Sequence, residues 1–174
     1  MSEKDPIQTY DLADNTSVNA TLAQTILNLT DADFLQRSHF FHGRYENLYI
    51  NPGQLPGLDD ILETALQKAA TILQRPIGKL QLGFWLNIMN KGDVTTLHSH
   101  DDDDELLSAV YYVQVPADSG MFRFHHADKI EEVTPVAGRF MFFDPALPHE
   151  VSEHGSDIPR ISIGINIGPA RQKD

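Results

Sequence analysis

The spacing of hydrophobic and polar positions changes near residue 79. Before that point the strongest repeat is helical. Leu58, Leu62, Leu66, Ala69 and Leu73 recur every three or four residues, and Ile61, Ala65 and Ile72 widen the stripe. This predicts an amphipathic helix from Leu58 to Gln74. Asp59 and Asp60 in its first turn suit the helix dipole, and Pro76 stops it. A shorter repeat at Leu22, Ile26 and Leu29 predicts a helix within Asn19 to Leu29, and Tyr45, Leu48, Tyr49 and Ile50 predict a strand within 40–51. The stretch before residue 17 is polar, and its beginning is expected to be mobile.

After residue 79, short apolar runs alternate with turn residues. Strands are expected near 80–89, 94–99, 106–115, 121–125, 130–134, 139–143, 149–152 and 160–168. Gly92-Asp93, Pro116 to Gly120, Ala137-Gly138 and Gly155-Ser156-Asp157 mark turns. So many short strands without intervening helices predict an antiparallel barrel or sandwich, with the long helix outside one sheet.

A length of 174 residues suits a single domain, 1–174, with residues 1–78 as a helical and strand extension packed on a barrel at 79–170. No run is long and apolar enough for a membrane span, and the polar, acidic start is unlike a signal or transit peptide. The absence of cysteine excludes disulfides, thiolate metal sites and a cysteine nucleophile. It is compatible with a reducing cytoplasm, the expected location. The formal net charge is −12 and the 13 Lys and Arg are scattered, so nucleic acid is not an expected partner. The same charge favours a neutral or cationic substrate. Oligomeric state is not legible; a homodimer is one option.

The eight histidines fall in pairs or near-pairs at 39/42, 98/100, 125/126 and 149/154. His98 and His100 share one face of an extended strand, so both rings can reach one metal ion. An exposed pair beside a solvated acidic loop reads equally well. The acids that follow, Asp101 to Glu105, also bring a carboxylate within reach. His149 follows Pro148 at the expected start of a strand. Two histidines and a carboxylate on one side of a metal select iron(II) and leave positions open. On the last strand Ile161, Ile163, Ile165 and Ile167 occupy one face, and Arg160, Ser162, Gly164 and Asn166 the other. The second face suits a polar cavity in which Arg160 forks onto a carboxylate and Ser162 adds a bond, or else an ordinary solvent-facing strand. His125 and His126 face opposite sides, so at most one enters a barrel. His39, His42 and His154 read as surface or satisfied structural residues. Trp85, Phe140, Phe142 and Phe143 read as core.

Taken in order, Trp85-Leu86-Asn87-Ile88, Gly92-Asp93, His98-Ser99-His100, Leu107 to Val113, Pro116, Gly138-Arg139, Pro148-His149 and Arg160 to Ile163 resemble the iron(II)/2-oxoglutarate-dependent oxygenases, and more closely their small bacterial and phage branch. The resemblance covers roughly 80–168, with a weaker echo at 58–74. It implies a mainly β fold with N-terminal helices, built on a double-stranded β-helix, the jelly-roll or cupin-like barrel. It implies iron(II) as metal, 2-oxoglutarate as cosubstrate, and hydroxylation of a small-molecule or peptide substrate with release of succinate and CO2. Carried over residue by residue, His98 and His149 are metal ligands, Arg160 anchors 2-oxoglutarate with Ser162, and Tyr112 and Asn87 are further cosubstrate contacts. No catalytic residue beyond the metal site is implied.

The chain departs from the branch after His100, where the loop to Ser108 is about two residues longer and acidic. Counting forward from Gly92 selects His98 and His100; counting back from Ser108 selects His100 and Asp102. A loop insertion is tolerated better than a slip within a strand, which favours His98, His100 and His149, with Asp102 as rival third ligand. Two other readings stay open: a cupin-type isomerase or dioxygenase that uses three histidines without 2-oxoglutarate, and a non-catalytic barrel that binds a metal or ligand.

Overall fold

The computed structural model describes residues 6–100 and 104–171. Their order is β1 (Ile7–Asp11), α1 (Asn15–Leu27), β2 (Phe34–Phe41), β3 (Arg44–Ile50), α2 (Leu58–Leu73), β4 (Leu80–Met89), β5 (Thr95–His98), β6 (Leu107–Gln114), β7 (Phe122–His125), β8 (Ile130–Val133), β9 (Arg139–Phe143), β10 (His149–Val151) and β11 (Arg160–Pro169). A seven-stranded sheet has the order β1-β9-β6-β11-β4-β3-β2, and a four-stranded sheet the order β5-β10-β7-β8. The pairings are antiparallel. This is the expected mainly β architecture, a double-stranded β-helix, and the eight strands expected after residue 79 all form.

The two-residue period explains the layers. Strands buried on both faces send alternate side chains into two cores. Ile161, Ile163, Ile165 and Ile167 of β11, Tyr111 of β6 and Phe140 and Phe142 of β9 face the helices, where they meet Leu22, Ile26, Leu58, Ile61 and Ala65. Each such buried apolar side chain contributes roughly 1.5–3 kcal/mol. Their neighbours Tyr112, Met141 and Phe143 face the other way, into a smaller core with Met89, Phe122, Phe124 and Val151 between the sheets. The small residues Ala65 and Ala69 are among the fully buried positions of α2, which bring its axis close to the sheet. The helix ends at Leu73, with Gln74 in the left-handed region ahead of Pro76.

Three features differ from the sequence reading. The polar stretch near the start contains β1, whose five residues pair with β9 from Ile7↔Phe143 to Asp11↔Arg139. Edge pairing needs backbone bonds rather than apolar side chains, and only Ile7 in it is buried. Helix α1 begins at Asn15, earlier than its apolar repeat. The single strand expected within 40–51 is the second arm of a hairpin. His42 and Gly43 turn it with φ of 50° and 81°, the two positive values a tight hairpin turn requires. No helix among the described residues is long and apolar enough to cross a membrane.

Candidate metal centre

Between the sheets lies a cavity of about 580 Å³. Its histidine wall comes from the small sheet. His98 ends β5 and His149 begins β10, and the two are direct cross-strand partners. His100 follows β5, fixed by its backbone N–H, which donates to Pro145 O at 2.9 Å. The His98 and His149 ring centroids are 4.3 Å apart, and His100 lies 5.4 and 5.3 Å from them. One ring nitrogen from each of the three lies within 4.8 Å of the other two.

Each ring is held through Nδ1. That atom lies 2.7 Å from Thr96 O in His98 and 2.8 Å from Leu147 O in His149. In His100 it lies 3.0 Å from both oxygens of Glu105. Carbonyl and carboxylate oxygens only accept, so Nδ1 carries the proton and Nε2 keeps a lone pair, the form in which imidazole binds a metal. Burial is the main cause that lowers the His149 pKa to about 3, aided by the neighbouring rings and opposed by the Leu147 bond. Burial likewise lowers that of His98. Near neutral pH these two rings are therefore uncharged, as a cation requires of its ligands. The donor set fits a divalent first-row metal such as iron(II). The rival third ligand, Asp102, lies outside the described residues.

The opposite wall is β11. Arg160, Ser162, Gly164 and Asn166 line the cavity, with Asn87, Met89 and Trp85 of β4 beside them. Arg160 is 1% exposed. Its Nη1 donates to Ser119 O at 3.1 Å, its Cζ lies 5.1 Å from the Tyr112 ring centroid, and among the described residues its Nε has no hydrogen-bond partner. No carboxylate pairs with it among the described residues. Burial lowers its pKa, yet a guanidinium stays protonated at neutral pH. Tyr112 is buried beside Arg160, not on the cavity wall; burial raises its pKa, opposed by the Arg160 charge next to it. Asn87 does line the cavity, held at Oδ1 by Arg44 Nη1 at 3.2 Å.

The structure also brings in residues that the sequence reading set aside. Trp85 lines the cavity instead of filling a core. It lies flat across Gly164, where an added Cβ would come 2.2 Å from Trp85 Cε2, so the glycine makes room for the indole. Phe143 belongs to the inter-sheet core and also touches the cavity, while Phe140 and Phe142 are core as expected. His39 borders the mouth with Phe41, from the exposed tip of β2. His125 and His126 pair with Glu150 and Glu131 on the outside. His42 is exposed. His154 is buried, with Nε2 donating to Ile158 O and Nδ1 without a partner among the described residues. Glu105 carried no distinguishing sequence signal inside its run of acids; Ser108, three residues on, is the only hint. Glu46 lines the cavity from β3 as a buried carboxyl whose pKa burial raises, with Arg44 opposing that rise from 3.9 Å.

Residues 83–134, a span that includes His98 and His100, match the family model described as "Putative 2OG-Fe(II) oxygenase". No curated protein matches the sequence significantly. Solved structures match nearly the whole chain. A prolyl-4-hydroxylase from Pseudomonas putida superposes with a TM-score of 0.74 at 23% identity, over 94% of this chain and 92% of that one. HygX from Streptomyces hygroscopicus, solved with nickel and 2-oxoglutarate bound, gives 0.70 at 12% identity, over 95% and 83%. A prolyl hydroxylase from Trichoplax adhaerens, in complex with a hypoxia inducible factor peptide fragment, gives 0.69 at 15% identity, over 95% and 84%. The segment match and the fold neighbours agree on one class, the 2OG-Fe(II) oxygenases, whose metal is iron(II) and whose cosubstrate is 2-oxoglutarate.

Proposed function

We propose that this 2OG-Fe(II)-dependent oxygenase binds its iron(II) through Nε2 of His98, His100 and His149 and pairs the far carboxylate of 2-oxoglutarate with Arg160. The observation that carries the reading is the buried guanidinium. Arg160 lines the same cavity as the three imidazoles and has no anionic partner among the described residues. A charge so placed is costly unless a ligand completes it. Ser162 adds a hydroxyl bond beside Arg160. Asn87 borders the same space, and Tyr112 supports the guanidinium from behind. When bound, iron(II) and 2-oxoglutarate supply the oxidising power from O2, and the cosubstrate leaves as succinate and CO2 while one oxygen enters the substrate. The chain's own contribution is to orient: the Nδ1 bonds aim the rings, Arg160 sets the depth of the cosubstrate, and Trp85 and Phe143 narrow the space around the metal.

The substrate we propose is a small molecule or peptide that enters past His39, Phe41 and Glu46. The buried carboxyl of Glu46 favours a neutral or cationic group over an anionic one. The test is calorimetry of 2-oxoglutarate into anaerobic iron(II)-loaded protein, with succinate release measured afterwards under O2. Binding lost in Arg160→Ala but kept in the parent supports the anchor; equal binding by both overturns it. The three-imidazole cluster also fits a metal-dependent isomerase or dioxygenase that needs no 2-oxoglutarate. That second reading predicts a metal-loaded parent that ignores the cosubstrate.

A further inference from the structure

We infer that Glu105 is a positioning residue for the metal, supplying through the His100 ring the negative charge that a ligand set of three imidazoles lacks. The inference rests on the metal-centre reading above. Both Glu105 oxygens lie 3.0 Å from His100 Nδ1. Ser108 Oγ donates to Oε1 at 2.6 Å and lies 3.2 Å from the same ring nitrogen. The Glu105 side chain is only 6% exposed, so its charge is little screened by water.

The three rings are not equivalent. His98 and His149 are oriented by backbone carbonyls, which are dipoles without net charge. His100 alone shares its Nδ1 proton with a carboxylate. A ring so bonded is the more basic donor at Nε2. Three neutral imidazoles would leave a divalent cation with its full charge beside Phe122, Phe143 and Val151. A carboxylate one imidazole away offsets part of that cost without occupying a coordination position. The arrangement also bridges the sheets, because Ser108 belongs to β6 of the large sheet while His100 extends β5 of the small one.

A merely structural role would make Glu105 a satisfied buried carboxylate whose loss lowers stability and nothing else. Cobalt(II) alone, added to the apo protein and followed by calorimetry and by its visible absorption, separates the two. Glu105→Gln keeps the size and an acceptor oxygen but removes the charge. Its cobalt(II) affinity is expected to fall about 10–100-fold with altered absorption bands. Ser108→Ala should weaken binding in the same direction by less, and Glu105→Asp should recover part of what Gln loses. Unchanged affinity and spectrum in Glu105→Gln overturn the inference, whether or not its apo melting temperature drops. So does a His100→Ala variant that binds as the parent does while Glu105→Gln binds nothing, since Glu105 would then be a ligand itself. If the parent takes up no cobalt(II), or His98→Ala and His149→Ala bind it undiminished, the metal-centre reading is what has failed.

Discussion

The two walls of the cavity are built very differently. The arginine wall is β11, a ten-residue strand paired with β4 along its whole length and with β6 on its other side. The histidine wall is β5 and β10, of four and three residues, with a register shift between His149 and Val151. The long strand is secured by an unbroken ladder to β4, by a second to β6 that shifts register between Ile161 and Ser162, and by the isoleucine core behind it. The short ones are secured locally: each histidine is tied by its own ring nitrogen. One wall thus derives its order from the sheet, the other from side-chain bonds, so their functions should be separable.

The largest expected effect is on the histidine wall. His98→Ala or His149→Ala should weaken cobalt(II) binding by more than about a hundredfold, since losing a supporting bond alone costs about 10–100-fold; calorimetry reads this directly. His149 also gives a pH signature in the apo protein. Its pKa is about 3 when folded, against an ordinary value of 6.5. Below the ordinary value the unfolded chain takes up a proton that the folded chain refuses, so stability falls as pH drops from 6.5 toward 3. Denaturant midpoints across that window should fall less steeply in His149→Asn than in the parent. Next comes Arg160→Ala, which should cost about 2–5 kcal/mol of 2-oxoglutarate affinity and leave cobalt(II) affinity unchanged; a joint loss would break the separation of the walls. Gly164→Ala should displace Trp85 and cost about 1–3 kcal/mol of stability, visible in denaturant melts and in indole fluorescence. The smallest effect is expected from Ser162→Ala, about 0.5–1.5 kcal/mol of cosubstrate affinity.

The same contrast governs what the sequence made legible. β11 could be read because it alternates strictly, with isoleucine on one face and polar or small residues on the other. The helix at 58–73 could be read because its apolar stripe spans four turns. β1 escaped because an edge strand is specified by backbone pairing, and Gln8, Thr9 and Tyr10 carry no apolar alternation. β2 escaped because Leu35, Phe40 and Phe41 are exposed, so its pattern reports no core. In the site, the spacing of His98 and His100 and the place of His149 before a strand made the three rings candidates, and the family resemblance singled them out; the fold brings them together. Glu105 was not legible, because nothing in a run of acids marks the one that meets His100; that depends on where Ser108 and His100 sit in three dimensions. Trp85 was misjudged because a glycine on the neighbouring strand, 79 positions away, decides that the indole lies along the wall.

The tethered Nδ1 atoms carry one more consequence. Zinc-finger ligands swing freely until the ion gathers them, so there the cation drives folding. Here the three rings surrendered their rotamer freedom when the sheets closed, and no ordering entropy remains to be lost at capture. Metal uptake should therefore be a lock receiving a key: apo and loaded protein should share one far-ultraviolet spectrum, and the loaded form should gain only the stability that binding itself adds.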